Sequence, residues 1–204
     1  MSIVAAIARA QPRRPDKRVT RPLAGAAAVD YPASMLTTRD AILNRLTELG
    51  IEHRILLHPP VFTVEQAQEH THHLPGGHCK NLFLIDRKDG LWLVTCRDQV
   101  KVDLNRLARS LGAPRFSFGR AELLVEVLGV APGSVTPLAL ANDSHGRVTA
   151  VLDTGLLAHE WVNCHPLQND ATVSMRAADL ERFVRITGHP PRLIDFDRFV
   201  VDEG

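Results

Sequence analysis

The chain has 204 residues, 45% of them hydrophobic, and a formal charge of +1, which suits one compact fold with its own core. That charge excludes a globally basic nucleic-acid binder and confines any RNA contact to one face. No apolar run approaches the ~20 residues that span a bilayer, and Cys79, Cys96 and Cys164, lacking metal-type spacing, suit reduced, packed thiols in a cytosol.

Residues 1–34 differ from the rest. Arg9, Arg13, Arg14, Lys17, Arg18 and Arg21 face only Asp16 and Asp30 among alanines and prolines, a composition that predicts a disordered basic extension. A transit-like peptide, a basic RNA-binding tail and a start placed ahead of Met35 all fit it; the clean helix just beyond Met35 favours the last. Without this arm the remainder carries a charge near −3.

Thr38 to Leu49 places Ile42, Leu43, Leu46 and Leu49 on one helical face and stops at Gly50. Ile51 to His58 reads as a strand ended by Pro59-Pro60, and Thr63-Val64-Glu65-Gln66 as a capping box opening a short helix. Leu82 to Asp86 and Leu91 to Cys96 flank Arg87-Lys88-Asp89-Gly90, a hairpin in which Asp-Gly supplies positive torsions.

Asp103 caps a helix carrying Leu104, Leu107, Ala108 and Leu111, and a second runs from Arg120 to Leu128 before Gly129. Both are expected on one sheet face. Pro137 to Ala141 and Val148 to Leu152 bracket Asn142-Asp143-Ser144-His145-Gly146 as a second hairpin. Strands at Trp161 to Cys164 and Thr172 to Arg176 precede a last helix from Ala178 to Thr187, closed by Gly188 and Pro190-Pro191. The pattern predicts an α+β fold, a mixed β-sheet sandwich with flanking helices, over residues 35–204.

Chemistry is suggested first by Gly129-Val130-Ala131-Pro132-Gly133-Ser134-Val135-Thr136-Pro137. Glycine admits close backbone approach and proline fixes one torsion, so the N–H groups of Gly133 to Thr136 are expected to stay free to hold a carbonyl or developing oxyanion. Lys80 and Asn81 stand where a loop enters a buried strand, suited to a phosphate and to a sugar hydroxyl or base edge; solvated decoration is the alternative. His165 and Asn169 flank a proline-stiffened bend, where the imidazole is a candidate general base or merely orders the turn. His70, His72, His73, His78 and Cys79 invite a metal site, yet match no standard zinc spacing.

Four segments occur in order: His58-Pro59-Pro60-Val61-Phe62-Thr63-Val64-Glu65, Leu74 to Leu84, Val127 to Pro137, and His165-Pro166-Leu167-Gln168-Asn169. Together they resemble the freestanding prolyl-tRNA editing proteins of the YbaK/ProX type, and the editing domain inserted in bacterial prolyl-tRNA synthetases, over residues 35–195. The resemblance implies a metal-free, cofactor-free cytoplasmic hydrolase that removes a mischarged amino acid, alanine before cysteine, from the terminal adenosine of proline tRNA, with prolyl-tRNA synthetase as a further partner. It places Lys80 at the terminal nucleotide or a nearby phosphate, Asn81 as a weaker acceptor-end contact, Gly133, Ser134, Val135, Thr136 and Pro137 in the substrate-positioning loop, and His165 in the pocket. Asn169 belongs to the same binding set. Cys79 stands where relatives commonly carry threonine.

A pocket that admits alanine and excludes proline is expected to be small and mostly apolar, because missing methylenes are worth only ~1–3 kcal/mol to the synthetase. Phe62, Val135 and Leu138 are its candidate walls. A non-catalytic aminoacyl-tRNA-binding module and a metal-dependent hydrolase are the competing classes.

Overall fold

The computed structural model describes residues 35–199; the expected basic extension lies outside them. In chain order the elements are α1 (Arg39–Glu48), β1 (His53–Leu57), α2 (Val64–Thr71), β2 (Gly77–Asp86), β3 (Leu91–Arg97), α3 (Leu104–Ser110), β4 (Phe116–Phe118) and α4 (Ala121–Leu128). A 3-10 helix (Pro137–Asn142), β5 (Val148–Asp153), α5 (Thr154–Leu157), β6 (Trp161–Cys164), β7 (Ala171–Arg176), α6 (Ala177–Ile186), β8 (Arg192–Ile194) and a second 3-10 turn (Phe196–Phe199) follow.

The strands form one mixed sheet in the order β1-β7-β6-β2-β3-β5-β8, with β4 also paired to β2. Alternation along β3 sorts the core into two layers. Leu91 and Leu93 pack with α1, α4 and α6 through Ile42, Leu124, Leu128 and Phe183, while Trp92, Val94 and Cys96 pack with α3 through Leu107 and Leu111. Helices α3 and α4 therefore cover opposite faces, not the single face expected. Each fully buried leucine or phenylalanine contributes about 1.5–3 kcal/mol.

Strand β2 positions the site. One of its edges pairs with β3 from Cys79 to Ile85. The other pairs with β6 only at Gly77 and His78 and with β4 only from Leu84 to Asp86. The intervening stretch of that edge has no strand neighbour among the described residues. Gly76, at φ 101°, makes the β6 contact possible, because a Cβ there would lie 2.1 Å from the Trp161 carbonyl oxygen. Lys80 and Asn81 consequently sit inside a strand that begins at Gly77, not at its loop entrance.

Local signals explain most ends. Thr38, Thr63 and Asp103 cap their helices through side-chain oxygens, and Gly129 closes α4 at φ 64°. At α2 the reciprocal bond of a capping box is displaced by one residue: Gln66 Oε1 accepts from the Phe62 N–H. In the β2–β3 turn Asp89, not Gly90, takes the positive φ.

The expected second hairpin is absent. Pro137 opens a 3-10 helix whose first turn is capped by Thr136 Oγ1 accepting from Leu138 N–H, and β5 runs parallel between β3 and β8. A short apolar run beginning with proline fits a buried helical turn as well as a strand, and the cap decides between them.

Candidate active site

The gap in the β2 edge is filled by the loop that follows α4. Asn81 Nδ2 donates to the Val135 carbonyl at 2.9 Å, and Asn81 Oδ1 accepts from the buried Thr95 hydroxyl at 2.8 Å. The amide is thus a strut between sheet and loop, engaged within the protein at both ends. Between this loop, β2, the β6–β7 connection and α2 lies an open cleft with a cavity of about 200 Å³.

Gly133 and Val135 line the cleft. Gly133 has φ 87°, and a Cβ there would lie 3.4 Å from the Phe62 ring and 3.7 Å from Asn169 Nδ2. The backbone N–H groups of Gly133, Val135 and Thr136 donate to no acceptor among the described residues, whereas that of Ser134 turns back to the Ala131 carbonyl at 3.0 Å. Three of the four amides expected to be free are so. Ser134, Thr136 and Pro137 are themselves buried and do not line the cavity, and Leu138, an expected wall, lies wholly in the core.

Phe62 stands at the mouth with 70% of its surface exposed. Its loop is clamped to the β6–β7 connection by two bonds: Val61 N–H to the Asn169 carbonyl at 3.0 Å and Asn169 Nδ2 to the Val61 carbonyl at 2.7 Å. Asn169 thereby holds the wall facing Gly133. Lys80 lines the cleft, but its ammonium donates to the Val100 carbonyl.

His165 lines the cleft half-buried. Its Nδ1 lies 3.2 Å from the Ala171 carbonyl; a carbonyl only accepts, so Nδ1 carries the proton and Nε2 presents a lone pair. Burial holds the imidazole below its ordinary pKa, opposed by the Ala171 carbonyl and assisted by nearby His58. The ring is neutral at pH 7. His58 donates from Nδ1 to the Pro59 carbonyl at 2.8 Å and accepts the Thr172 hydroxyl at Nε2 at 3.0 Å. Its ring stacks on His70 at 5.6 Å and meets His165 edge-on at 6.5 Å.

Cys79 donates to the Asn163 carbonyl at 3.0 Å. A hydrogen bond to the Cys164 thiol, together with burial, pushes its pKa well above the ordinary thiol value, so it is protonated and a poor nucleophile. The histidines that suggested a metal are dispersed: His70 lies against His58, His72 and His73 are exposed and edge-on to each other, and His78 contacts Thr71 and the Leu74 carbonyl. Among the described residues no three His, Cys, Asp or Glu side chains gather as a metal set.

The lining is mixed rather than mostly apolar, since Gln68, Asp98, Asn163 and Thr172 join it. These four carry no motif signal, and His58, although it opens the first of the four ordered segments, has no role assigned to it there. Sheet register brings them in: Asp98 N–H donates to the His78 carbonyl at 2.9 Å, and Asn163 pairs with His78 across β6.

Comparison with known proteins gives one consistent result. Residues 58–183 match the family described as the aminoacyl-tRNA editing domain. The chain is 43% identical over 176 residues to prolyl-tRNA synthetase associated domain-containing protein 1 of Danio rerio, covering 85% of this chain and 94% of that protein. It is 31% identical to the prolyl-tRNA editing protein ProX of Acetoanaerobium sticklandii, over 78% of this chain and 98% of that one. The fold is shared with a solved structure described as a proposed trans-editing enzyme for prolyl tRNA synthetase, with TM-score 0.61, 20% identity, and coverage of 78% and 97% of the two chains.

Proposed function

From the premise that this chain belongs to the aminoacyl-tRNA editing domain family, we propose that it is a trans-editing deacylase. It hydrolyses the ester between a small mischarged amino acid, alanine first, and the terminal adenosine of proline tRNA. The observation that carries this reading is the cleft-lining loop with two uncommitted main-chain N–H groups at Gly133 and Val135, braced by Asn81 and sharing its cavity with His165.

An aminoacyl ester is already activated, so the protein needs chiefly to place a water and stabilise the tetrahedral oxyanion. The loop amides supply fixed donors without a charged side chain. His165 Nε2 accepts a hydrogen bond from the attacking water or from the vicinal ribose hydroxyl, holding the oxygen that must lose its proton. Lys80 and Phe62 at the cleft receive the terminal nucleotide, the first as cation and the second as stacking surface. Phe62 faces Gly133 closely enough that a Cβ there would touch its ring at 3.4 Å, and this pair is the gate that is expected to disfavour the bulkier proline. The protein works on proline tRNA in the cytoplasm, alongside prolyl-tRNA synthetase, and needs no metal or cofactor.

The test is amino acid release from proline tRNA charged in turn with alanine, cysteine, serine and proline, with and without exhaustive chelation. Release of alanine, retention of proline and indifference to chelator are expected. Faster release of cysteine moves the specificity; tight binding without release converts the protein to a binding module; loss of turnover with chelator overturns the metal-free reading.

A further inference from the structure

An aminoacyl ester differs from other esters on an RNA end by its free α-amino group. A site that takes it out of water must offer an acceptor, since a desolvated ammonium left without one is strongly disfavoured. The cleft has few acceptors to spare. Asn81 Oδ1 already accepts from Thr95 and Asn163 Oδ1 from Ser174, and the Thr172 hydroxyl, whose proton goes to His58 Nε2, is a neutral acceptor that leaves an ammonium's charge uncompensated.

Asp98 alone among the described cleft-lining residues carries a carboxylate. It is half-buried at the end of β3, with its main chain fixed to His78 and its Oδ2 accepting from Gln68 Nε2 of α2 at 2.9 Å. Its Oδ1 accepts from no described residue. The cations beside it are committed elsewhere: Lys80 to the Val100 carbonyl, and Arg97 to Asp153 at 2.7 Å and Asp197 at 2.7 Å.

We propose that Asp98, oriented by Gln68, binds the α-ammonium of the esterified amino acid and so restricts the site to esters with a free amine. The inference rests on the deacylase reading and deepens it. Charge-assisted hydrogen bonds are the strong ones, and the polar walls then divide the substrate: amine at Asp98, carbonyl at the Gly133 to Thr136 loop. Esters of α-hydroxy acids and N-blocked amino acids fall outside its range.

The test compares the full-length protein and Asp98→Asn on proline tRNA carrying alanine, lactate or N-acetylalanine, each rate divided by that ester's spontaneous hydrolysis. Wild-type protein is expected to prefer the alanyl ester in kcat/KM by about tenfold or more, and Asp98→Asn to bring the ratio close to one. Asparagine keeps an oxygen for Gln68, and Asp98→Ser serves the same comparison if the first variant does not fold. A wild-type ratio of one, or a ratio unchanged in a folded Asp98 variant, overturns the assignment while leaving the deacylase reading intact. Release of none of the three esters overturns both.

Discussion

The loop wall of the cleft offers main-chain N–H groups at Gly133 and Val135, whereas the rest of the lining offers side chains, among them Gln68, Lys80 and Asp98. The first wall is rigid by construction: Gly129 and Gly133 take positive φ, Pro137 starts a buried 3-10 helix, and Asn81 ties the loop to β2. The second is built on side chains, and its shape follows how α2 and the end of β3 settle on the sheet. Backbone donors serve the atom common to all substrates, the ester carbonyl. Side chains serve what varies, the amine and the nucleotide.

Changes to the loop wall should therefore cost more turnover than changes opposite it. Gly133→Val is the severest case, because valine resists φ 87° and its Cβ meets the Phe62 ring; a loss of roughly a hundredfold in kcat is expected, as for a misplaced oxyanion donor, with Tm checked to separate unfolding from misplacement. His165→Ala, at the third wall, should lose up to about a hundredfold. Its pH profile sharpens the point. Because burial lowers the His165 pKa below 6.5, the neutral acceptor persists through pH 6.5, and wild-type turnover should fall only on further acidification. A midpoint at or above 6.5 contradicts the assigned role.

Asn81→Ala removes the strut and strands the buried Thr95 hydroxyl, which predicts a loss of about 1–3 kcal/mol in stability by denaturant unfolding, together with reduced kcat. Lys80→Ala should act mainly on KM for tRNA and reduce the salt slope by about one. An unchanged slope places the phosphate contact elsewhere. If Lys80→Ala proves costlier in kcat than Gly133→Val, the division between the walls fails.

How much of this was legible follows the same division. The caps at Thr63 and Asp103 and the stops at Gly50 and Gly129 are local, and their signals lie within a few residues. The loop at Gly133 is legible for that reason. Pro137 to Ala141 misleads because apolar spacing in five residues does not separate a strand from a buried 3-10 turn. Strand β4 and helix α5 are too short to show a period. Asp98, Gln68 and Thr172 stay silent because nothing local marks them: the pairing of β2 with β3 and β6, and the seating of α2, bring them to one cavity. Asn81 shows the opposite error, since a residue that reads as a solvent-facing contact is a strut once β2 extends back to Gly77.

The central claim is that the uncommitted loop amides hold the ester carbonyl. Amide-resolved NMR of the ¹⁵N-labelled protein, titrated with a non-hydrolysable alanine amide of 3′-amino-adenosine, tests it directly. The N–H signals of Gly133 and Val135 should move on binding, while that of Ser134, bonded to the Ala131 carbonyl, should stay near its free position. Saturable binding that leaves both of those signals unmoved would contradict the account.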